Sequence, residues 1–402
     1  MRWWILAGLV AGTGWALLGR DRLAPTGTVV AESTSRRAAE VRDEDIAFYA
    51  VRAARDPYGA RDRAMLAALY LERGRATGAE ADLAAAERLA RASTTTRRAH
   101  NEAAASVLAG TLVAQHRFAE AYTIMAAVLA RDSGDAVVRA TLGEIALELG
   151  RYEEADRLFG PLRLAALAAG VGPRYARWLE LRGESGAARR LLEELRAAQA
   201  EGFRVSPEQL AWYDLRLGDL AARHGRPDLA EAAYRRGLTV APGDPRLLAA
   251  RGRLALERGA TTEARRLGEE TLALRYDPAA LMLLAEVAEQ EGDSARRADY
   301  VTAVELAVLG TASGFHRAAA LFLLDRGIRV AEIRDRALAD LETRRDAQGY
   351  DLAAWATYKA GDLRAAATLA RAATARHVGD PALERRAAII AWAHGGSARV
   401  AR

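Results

Sequence analysis

The side chains most often used in catalysis are scattered along this chain of 402 residues. The six histidines form no His-Glu-x-x-His zinc motif, and there is no cysteine for thiolate ligation or a disulfide. No Gly-rich phosphate loop precedes Lys359, and neither a Gly-x-Ser-x-Gly motif nor a dinucleotide fingerprint occurs. Asp43, Glu44 and Asp45 form an acidic run at a predicted helix start, where acids complement the helix dipole. We therefore predict no catalytic, metal or cofactor site, and keep a helical toroid enzyme as a third alternative.

Arginine supplies almost all of the positive charge, and Arg-Arg pairs begin at positions 36, 97, 189, 235, 265, 296, 344 and 385. Such pairs could track a phosphate backbone, so a nucleic-acid-binding or regulatory repeat protein is the alternative function. However, 53 acidic residues are interspersed with the 58 basic ones, and no aromatic residues alternate with the pairs. A mixed-charge surface is therefore predicted, and nucleic-acid binding is disfavoured.

The first 22 residues differ from the rest of the chain. An uncharged run from Trp3 to Gly19 follows Arg2, and charged residues close it at 20–22. This length predicts an uncleaved signal anchor, with a cleaved signal peptide or a buried helix as alternatives. Residues 23–42 contain Pro, Gly, Ser and Thr and are predicted to be a linker, with helix beginning near Asp43. We expect a single-pass protein of the cytoplasmic membrane with a periplasmic domain, or a secreted one if the segment is cleaved.

Residues 141–159 contain the clearest pattern in the chain. Leu142, Ile145 and Leu149 recur at helical spacing, Gly150 interrupts them, and Ala155 and Phe159 resume the pattern four residues apart. The order of Leu142-Gly143, then Gly150, then Ala155 and Phe159 resembles one tetratricopeptide repeat. Two short helices joined by a tight turn are predicted here, and one such pair must stack on others to bury its faces.

The pattern recurs along residues 43–402 at intervals of mostly 33 to 35 residues, the tetratricopeptide period. The predicted turns lie at Gly74, His116, Gly150, Gly183, Gly225, Gly259, Gly292, Gly327, Gly361 and Gly395. The resemblance implies an all-α, right-handed α-α superhelical solenoid of about nine to ten helix pairs in a bacterial protein. Another helical-hairpin repeat of similar period is the alternative fold.

In tetratricopeptide arrays the first helix of each pair lines a concave groove that binds a protein or peptide. Carried onto this register, the resemblance places six candidate partner-binding residues in the groove: Trp212, Asp219, Arg246, Arg253, Trp355 and Tyr358. The two tryptophans have an alternative role as core residues, since large aromatic side chains are mostly buried. The chain is thus predicted to be a non-enzymatic interaction scaffold or assembly factor, of unknown oligomeric state.

The predicted topology gives the first test. A periplasm-dependent reporter fused after Ala39 is expected to be active, because the apolar run would carry the following residues across the membrane. The matched control is the same fusion with residues 3–19 deleted, which should be inactive. Activity from a cytoplasm-dependent reporter alone would reverse the topology.

Overall fold

The computed structural model describes residues 27–201, 206–309, 316–376 and 378–400, so the predicted anchor at 1–22 lies outside the described residues. Within those ranges the chain forms helices and no strand. The helices are α1 (Gly27–Arg55), α2 (Ala60–Thr77), α3 (Glu80–Thr96), α4 (Glu102–Ala114), α5 (Phe118–Arg131), α6 (Ala136–Glu148), α7 (Tyr152–Phe159), a 3-10 helix (Gly160–Ala165), α8 (Gly172–Leu181), α9 (Ser185–Ala200), α10 (Pro207–Arg223), α11 (Pro227–Val240), α12 (Pro245–Glu257), α13 (Thr261–Leu274), α14 (Pro278–Glu291), α15 (Ser294–Leu309), α16 (Arg317–Asp325), α17 (Val330–Thr343), α18 (Ala347–Lys359), α19 (Leu363–Thr374) and α20 (Pro381–Val400).

Over the described ranges, helices α2 to α19 form nine antiparallel pairs, and α1 and α20 flank them as single helices. Each pair packs on the next along the chain, as α3 does on α4 and α13 on α14. The predicted all-α solenoid of nine to ten helix pairs is therefore confirmed. Each pair buries one face of its helices against its neighbour, which is why the units are stable only as a stack.

The turns within the pairs confirm most of the predicted positions. His116 and the glycines at 150, 183, 225, 259, 292, 327 and 361 all have positive φ, which ends the first helix and reverses the chain. Two predicted turns are wrong. Gly74 lies inside α2, and the left-handed residue there is Gly78 with φ of 76°. Gly395 lies inside α20, because the chain continues that helix to Val400 instead of forming a pair.

Side-chain caps fix where several helices begin. Asp244 and Asp277 accept backbone N–H groups at the starts of α12 and α14, and Asp380 does so for α20. Ser206 Oγ accepts the Gln209 N–H at 3.2 Å, as a capping box requires. Asp56 does not cap a helix: it accepts the Tyr58 N–H, and α2 begins only at Ala60.

Helix α1 corrects the prediction for residues 23–42. It begins at Gly27, so the part of the predicted linker from 27 to 42 is helical, and the expected start near Asp43 is wrong. After Gly27 no proline interrupts the chain before Pro57, and Ser and Thr lower helix stability only slightly. Among the described helices, none has both the length and the apolarity needed to cross a membrane.

The packing inside a pair depends on a glycine. A Cβ atom at Gly143 of α6 would lie 2.7 Å from the Phe159 ring of α7, so only glycine lets the two helices approach this closely. Phe159 is fully buried and stacks on Trp178 of α8 with ring centroids 5.6 Å apart. The aromatic residue thus joins its own pair to the next one.

Residues almost 200 positions apart meet along a second contact, which we call the seam. It joins Glu148, Gly150 and Tyr152, at the turn between α6 and α7, to residues 344–347, between α17 and α18. Arg344 Nη2 donates to Glu148 Oε2 at 3.0 Å, and the Ala347 N–H donates to Tyr152 Oη at 2.8 Å. The later pairs of the solenoid therefore return to the turns of the earlier ones.

Contacts around the seam are both polar and apolar. The Arg344 guanidinium lies 4.4 Å from the centre of the Phe118 ring, so this cation also faces an aromatic partner. Tyr152 and Leu181 pack against a buried cluster formed by Ala347, Ala373, Val378 and Leu383. A Cβ atom at Gly150 would lie 2.2 Å from the Arg345 carbonyl oxygen. Gly150 is thus required at this turn for two reasons: its φ is positive, and any side chain would clash with the backbone across the seam.

A pair of matched glycine substitutions tests the seam. At Gly259, with φ of 76° and no other atom within 4 Å of an added Cβ, Gly259→Ala should cost about 1 kcal/mol through backbone strain alone. Gly150→Ala adds a clash with the Arg345 backbone and should cost about 2 kcal/mol more. Urea unfolding measures the difference, and small-angle scattering should show a larger radius of gyration only for Gly150→Ala. Equal effects of the two variants would show that the seam does not contribute to stability.

Candidate partner-binding groove

Five successive first helices place a charged residue at the same position of the repeat. Each of these residues lies six positions before the glycine that ends its helix. They are Glu144 on α6, Arg177 on α8, Asp219 on α10, Arg253 on α12 and Glu286 on α14. The sign of the charge alternates along the row, so each member has an oppositely charged neighbour in the adjoining pair.

Ion pairs connect these helices across the boundaries between units. The five guanidinium–carboxylate bonds, which we call the charged ladder, are Arg174–Glu144 at 2.9 Å, Arg177–Glu148 at 2.9 Å, Arg216–Glu180 at 3.3 Å, Arg253–Glu286 at 3.0 Å and Arg326–Glu289 at 2.9 Å. Every bond joins residues of successive helix pairs. The ladder therefore consists of two runs, one that links α6, α8 and α10 and one that links α12, α14 and the turn after α16.

The ladder is paired but still reaches solvent. Side-chain exposure ranges from 15% for Glu180 to 49% for Glu289. Half-exposed ion pairs contribute little to stability, because solvent screens them and ordering long side chains costs entropy. Their charges nevertheless remain available to a partner that approaches along the first helices.

Burial shifts the pKa values of several groups in this row. It raises the pKa of Asp219, and the nearby Arg216 and Arg223 only partly offset that effect. Burial, together with repulsion from Arg177, lowers the pKa of the Arg216 guanidinium. At Glu148 burial acts to raise the pKa, but Arg177 and Arg344 outweigh it and the net shift is downward. Glu148 thus belongs to both the ladder and the seam.

Two of the predicted groove residues lie together on α10. Trp212 is half-buried, packs against the main apolar core and meets Tyr213 edge-to-face with centroids 5.1 Å apart. Asp219 Oδ1 accepts a hydrogen bond from the Tyr234 hydroxyl group at 3.0 Å, and the Asp219 carboxylate lies 3.7 Å from the Arg216 guanidinium. Asp219 therefore faces the row of charges, whereas much of Trp212 is used in packing.

The two predicted arginines on α12 have different environments. Arg246 folds back to the start of its own helix, where Nη2 donates to the capping residue Asp244 at 2.6 Å. Arg253 reaches Glu286 on α14 and is a member of the charged ladder. Of the two arginines, only Arg253 connects successive units through its side chain.

Trp355 and Tyr358 lie on α18. Trp355 is only 7% exposed, and its Nε1–H donates to Asp325 Oδ1 at 2.8 Å. Tyr358 stacks on it with centroids 5.1 Å apart, and the Lys359 ammonium lies over the Trp355 ring. The environment of Trp355 is that of a core residue, the alternative given for it above, and it presents little surface to a partner.

Several ladder members were missed by the sequence analysis. Arg177 and Glu286 occupy the same repeat position as Asp219 and Arg253, so the register alone was enough to find them. Glu180 and Glu289 lie three residues further along their helices and follow the same register. Arg174 and Arg216 also share a repeat position, nine residues before Gly183 and Gly225, but only the packing of α10 on α8 shows that Arg216 reaches Glu180. In the described ranges, no group of His, Cys, Asp or Glu could hold a metal ion.

Comparison with known families gives one match. Residues 112–169, which span the end of α4 through the 3-10 helix, match the tetratricopeptide repeat family. This stretch of the chain is similar to tetratricopeptide repeats. The matched stretch includes the Gly143–Phe159 pair and the turn at Gly150, the features on which the predicted resemblance depended. No curated protein matches the sequence.

Solved structures with similar helical repeats have low sequence identity to this chain. PilW, a type IV pilus biogenesis factor, is 18% identical, and the match covers 50% of this chain and 90% of PilW with a TM-score of 0.41. A tetratricopeptide repeat protein from Parabacteroides merdae is 16% identical over 63% of this chain and 96% of its own, with a TM-score of 0.45. The APC/C hetero-tetramer Cut9-Hcn1 gives 17% identity, 81% and 62% coverage and a TM-score of 0.47. Values this low say nothing about what the chain binds.

Two aspartates of α10 allow a test that separates structural from groove charges. Asp214 is fully buried and accepts hydrogen bonds from Arg196 and Arg236, so Asp214→Asn should lower the free energy of unfolding by about 3 kcal/mol. Asp219→Asn should cost about 1 kcal/mol or less, because Asp219 keeps some solvent exposure and burial already disfavours its charge.

The raised pKa of Asp219 also predicts how the stability of the protein depends on pH. The pKa of Asp219 is raised in the folded state, so its contribution to stability is present at low pH and is lost as the pH rises through that pKa. Asp219→Asn should remove this loss, which urea titrations from acidic to neutral pH would detect. A larger destabilisation by Asp219→Asn than by Asp214→Asn would contradict the assignment of Asp214 as a structural charge and of Asp219 as a groove charge.

Proposed function

We propose that this protein is a non-enzymatic scaffold that binds a protein or peptide along the groove of its first helices. The observation that carries the proposal is the charged ladder, an ordered row of ion pairs that remains partly exposed across successive repeats. A core needs no such row, and half-exposed pairs add little to stability. Arranged in register, the same charges give a partner both orientation and specificity.

The ladder favours a partner segment of mixed charge. A partner carboxylate would compete with Glu148 for Arg177, and a partner cation would compete with Arg253 for Glu286. Exchanging one ion pair for another changes the free energy little, so affinity would come from apolar and backbone contacts nearby. Specificity would come from the order of charges, since a wrong order places like charges together.

Nucleic acid fits the same surface less well. Each of the five arginines of the ladder is bonded to a glutamate, and two of these glutamates, Glu148 and Glu180, each bind a second arginine as well. Binding to phosphates depends on uncompensated cations and on the release of counterions from the polyanion. Arginines that are already paired with carboxylates supply less of that driving force, and each carboxylate would repel a phosphate.

Charge reversal on the first helices tests the proposal. The variant Arg177→Glu/Arg253→Glu should lose its captured partners, because two ladder positions then present like charges. The matched control is Arg190→Glu/Arg266→Glu, two exposed arginines on second helices, which changes net charge by the same amount. The full-length proteins are compared by affinity capture and quantitative mass spectrometry after their folding is checked by circular dichroism.

The outcomes separate the alternatives. Partners retained by the wild type and the control but lost from the ladder variant support the groove. Loss from both variants would indicate nonspecific charge effects, and retention by both would place binding elsewhere. Recovery of nucleic acid at physiological salt would support the alternative function, and turnover of a small molecule would support an enzyme.

We further propose that the scaffold is tethered to the cytoplasmic membrane by residues 1–22 and acts outside the cytoplasm. The support is the sequence alone: an uncharged run from Trp3 to Gly19 bounded by charges. A tether would hold the groove near membrane-associated partners and raise their effective concentration.

A further inference from the structure

A cavity of about 230 Å³ lies next to the seam. Leu147, Tyr152, Trp178 and Leu181 provide its apolar walls, all from the units built on α6 to α8. Arg376, which follows α19, supplies a further wall from the opposite side of the seam. The cavity therefore exists only where the units of α6 to α8 meet the end of α19.

The charges in the cavity are unequally compensated. Asp156 accepts hydrogen bonds from Trp178 Nε1 at 2.6 Å and pairs with Arg182 at 3.1 Å, so these two charges offset each other. Arg182 also pairs with Glu184. Arg376 instead donates to two backbone carbonyl oxygens, those of Arg345 and Ala372, and lies over the Tyr350 ring at 4.1 Å.

Across the ranges that the structure describes, no carboxylate lies within ion-pair distance of Arg376. Carbonyl groups and an aromatic face orient a guanidinium but do not neutralise its charge. A cation held in this way beside aromatic walls suits an anion with a flat apolar body.

The geometry points to a binding site for a small aromatic carboxylate in this cavity. The carboxylate would pair with the Arg376 guanidinium, and the ring would lie against Tyr152 and Leu181, because Phe159 and Arg182 already cover the Trp178 ring. The size is adequate, since an enclosed apolar cavity of about 150 Å³ already accommodates benzene. Two kinds of molecule carry an aromatic ring beside a carboxylate: a free aromatic acid and a peptide that ends in an aromatic residue.

Such a ligand would also hold the seam closed. It would contact the units of α6 to α8 on one side and Arg376 on the other, so it would bind the closed solenoid better than an opened or unfolded one. By linkage, ligand at roughly a hundred times its Kd would raise the free energy of unfolding by about 2.7 kcal/mol. The site is separate from the charged ladder and does not depend on the function proposed for it.

Benzoate and benzamide are the matched probes, because they share a ring and differ in charge. In calorimetric titrations of the full chain, benzoate should bind at one saturable site and at least roughly tenfold more tightly than benzamide, the difference that one charge-assisted hydrogen bond provides. Benzoate should also raise the melting temperature. Equal binding of the two probes, or no saturable binding of benzoate, would overturn the proposal without any variant.

Variants then locate the site. Arg376→Gln should weaken benzoate binding by at least roughly tenfold, whereas Arg371→Gln should leave it unchanged, because that exposed arginine of α19 lines no part of the cavity. Unchanged affinity in Arg376→Gln would show that benzoate binds elsewhere and would also overturn the proposal. Peptides ending in Phe, with a free or an amidated carboxyl group, distinguish the sources. Competition by the free form alone identifies a peptide terminus, and no competition identifies a free acid.

Discussion

The stack depends on how closely the two helices of a pair approach each other. A glycine on the first helix removes the side chain that would keep them apart, and a large residue sixteen positions later fills the space. Gly143 with Phe159 and Gly218 with Tyr234 follow this rule, and an added Cβ would meet the ring at 2.7 Å and 2.2 Å. Where the later position is itself glycine, as at Gly268, Leu284 of the next pair fills the gap. The identity of this residue sets how tightly neighbouring pairs pack, and so shapes the whole superhelix.

The packing of the helices divides the charged residues into two groups, those that it buries and those that it leaves partly exposed. Asp214 is fully buried and is held by two arginines, and losing a partner there leaves an uncompensated charge in the interior. The charges of the ladder lie on the open side of the first helices, where the same ion-pair chemistry contributes little to stability. The ladder is a repeated, partly exposed row of ion pairs that can exchange partners with little change in free energy. Such a row is better suited to binding a partner than to stabilising the fold.

The seam adds a constraint that a repeat protein does not need. Stability in a solenoid ordinarily comes from contacts between neighbouring units, which lets the array flex along its axis. Here Glu148, Gly150 and Tyr152 are held by residues some 195 positions away, and Glu148 is shared with Arg177 of the ladder. A change in the groove at Arg177 therefore acts on a residue of the seam, and the reverse holds as well. The cavity at Arg376 lies on the same boundary, so groove, seam and cavity are physically connected through α6 to α8.

The sequence by itself determined the helical class, the period and most of the turns, because these depend on local chemistry. Positive φ at Gly225 or Gly259 and an aspartate cap at Asp244 are decided within a few residues. It also predicted the register that leads to Asp219 and Arg253, although not the carboxylates they face. Only the tertiary structure decided that Trp355 is buried, that Arg246 turns back to its own cap, and which charges pair across successive repeats. The seam was beyond sequence reasoning for a physical reason: small rotations between successive pairs add up over about six repeats, and only their sum brings Arg344 to Glu148.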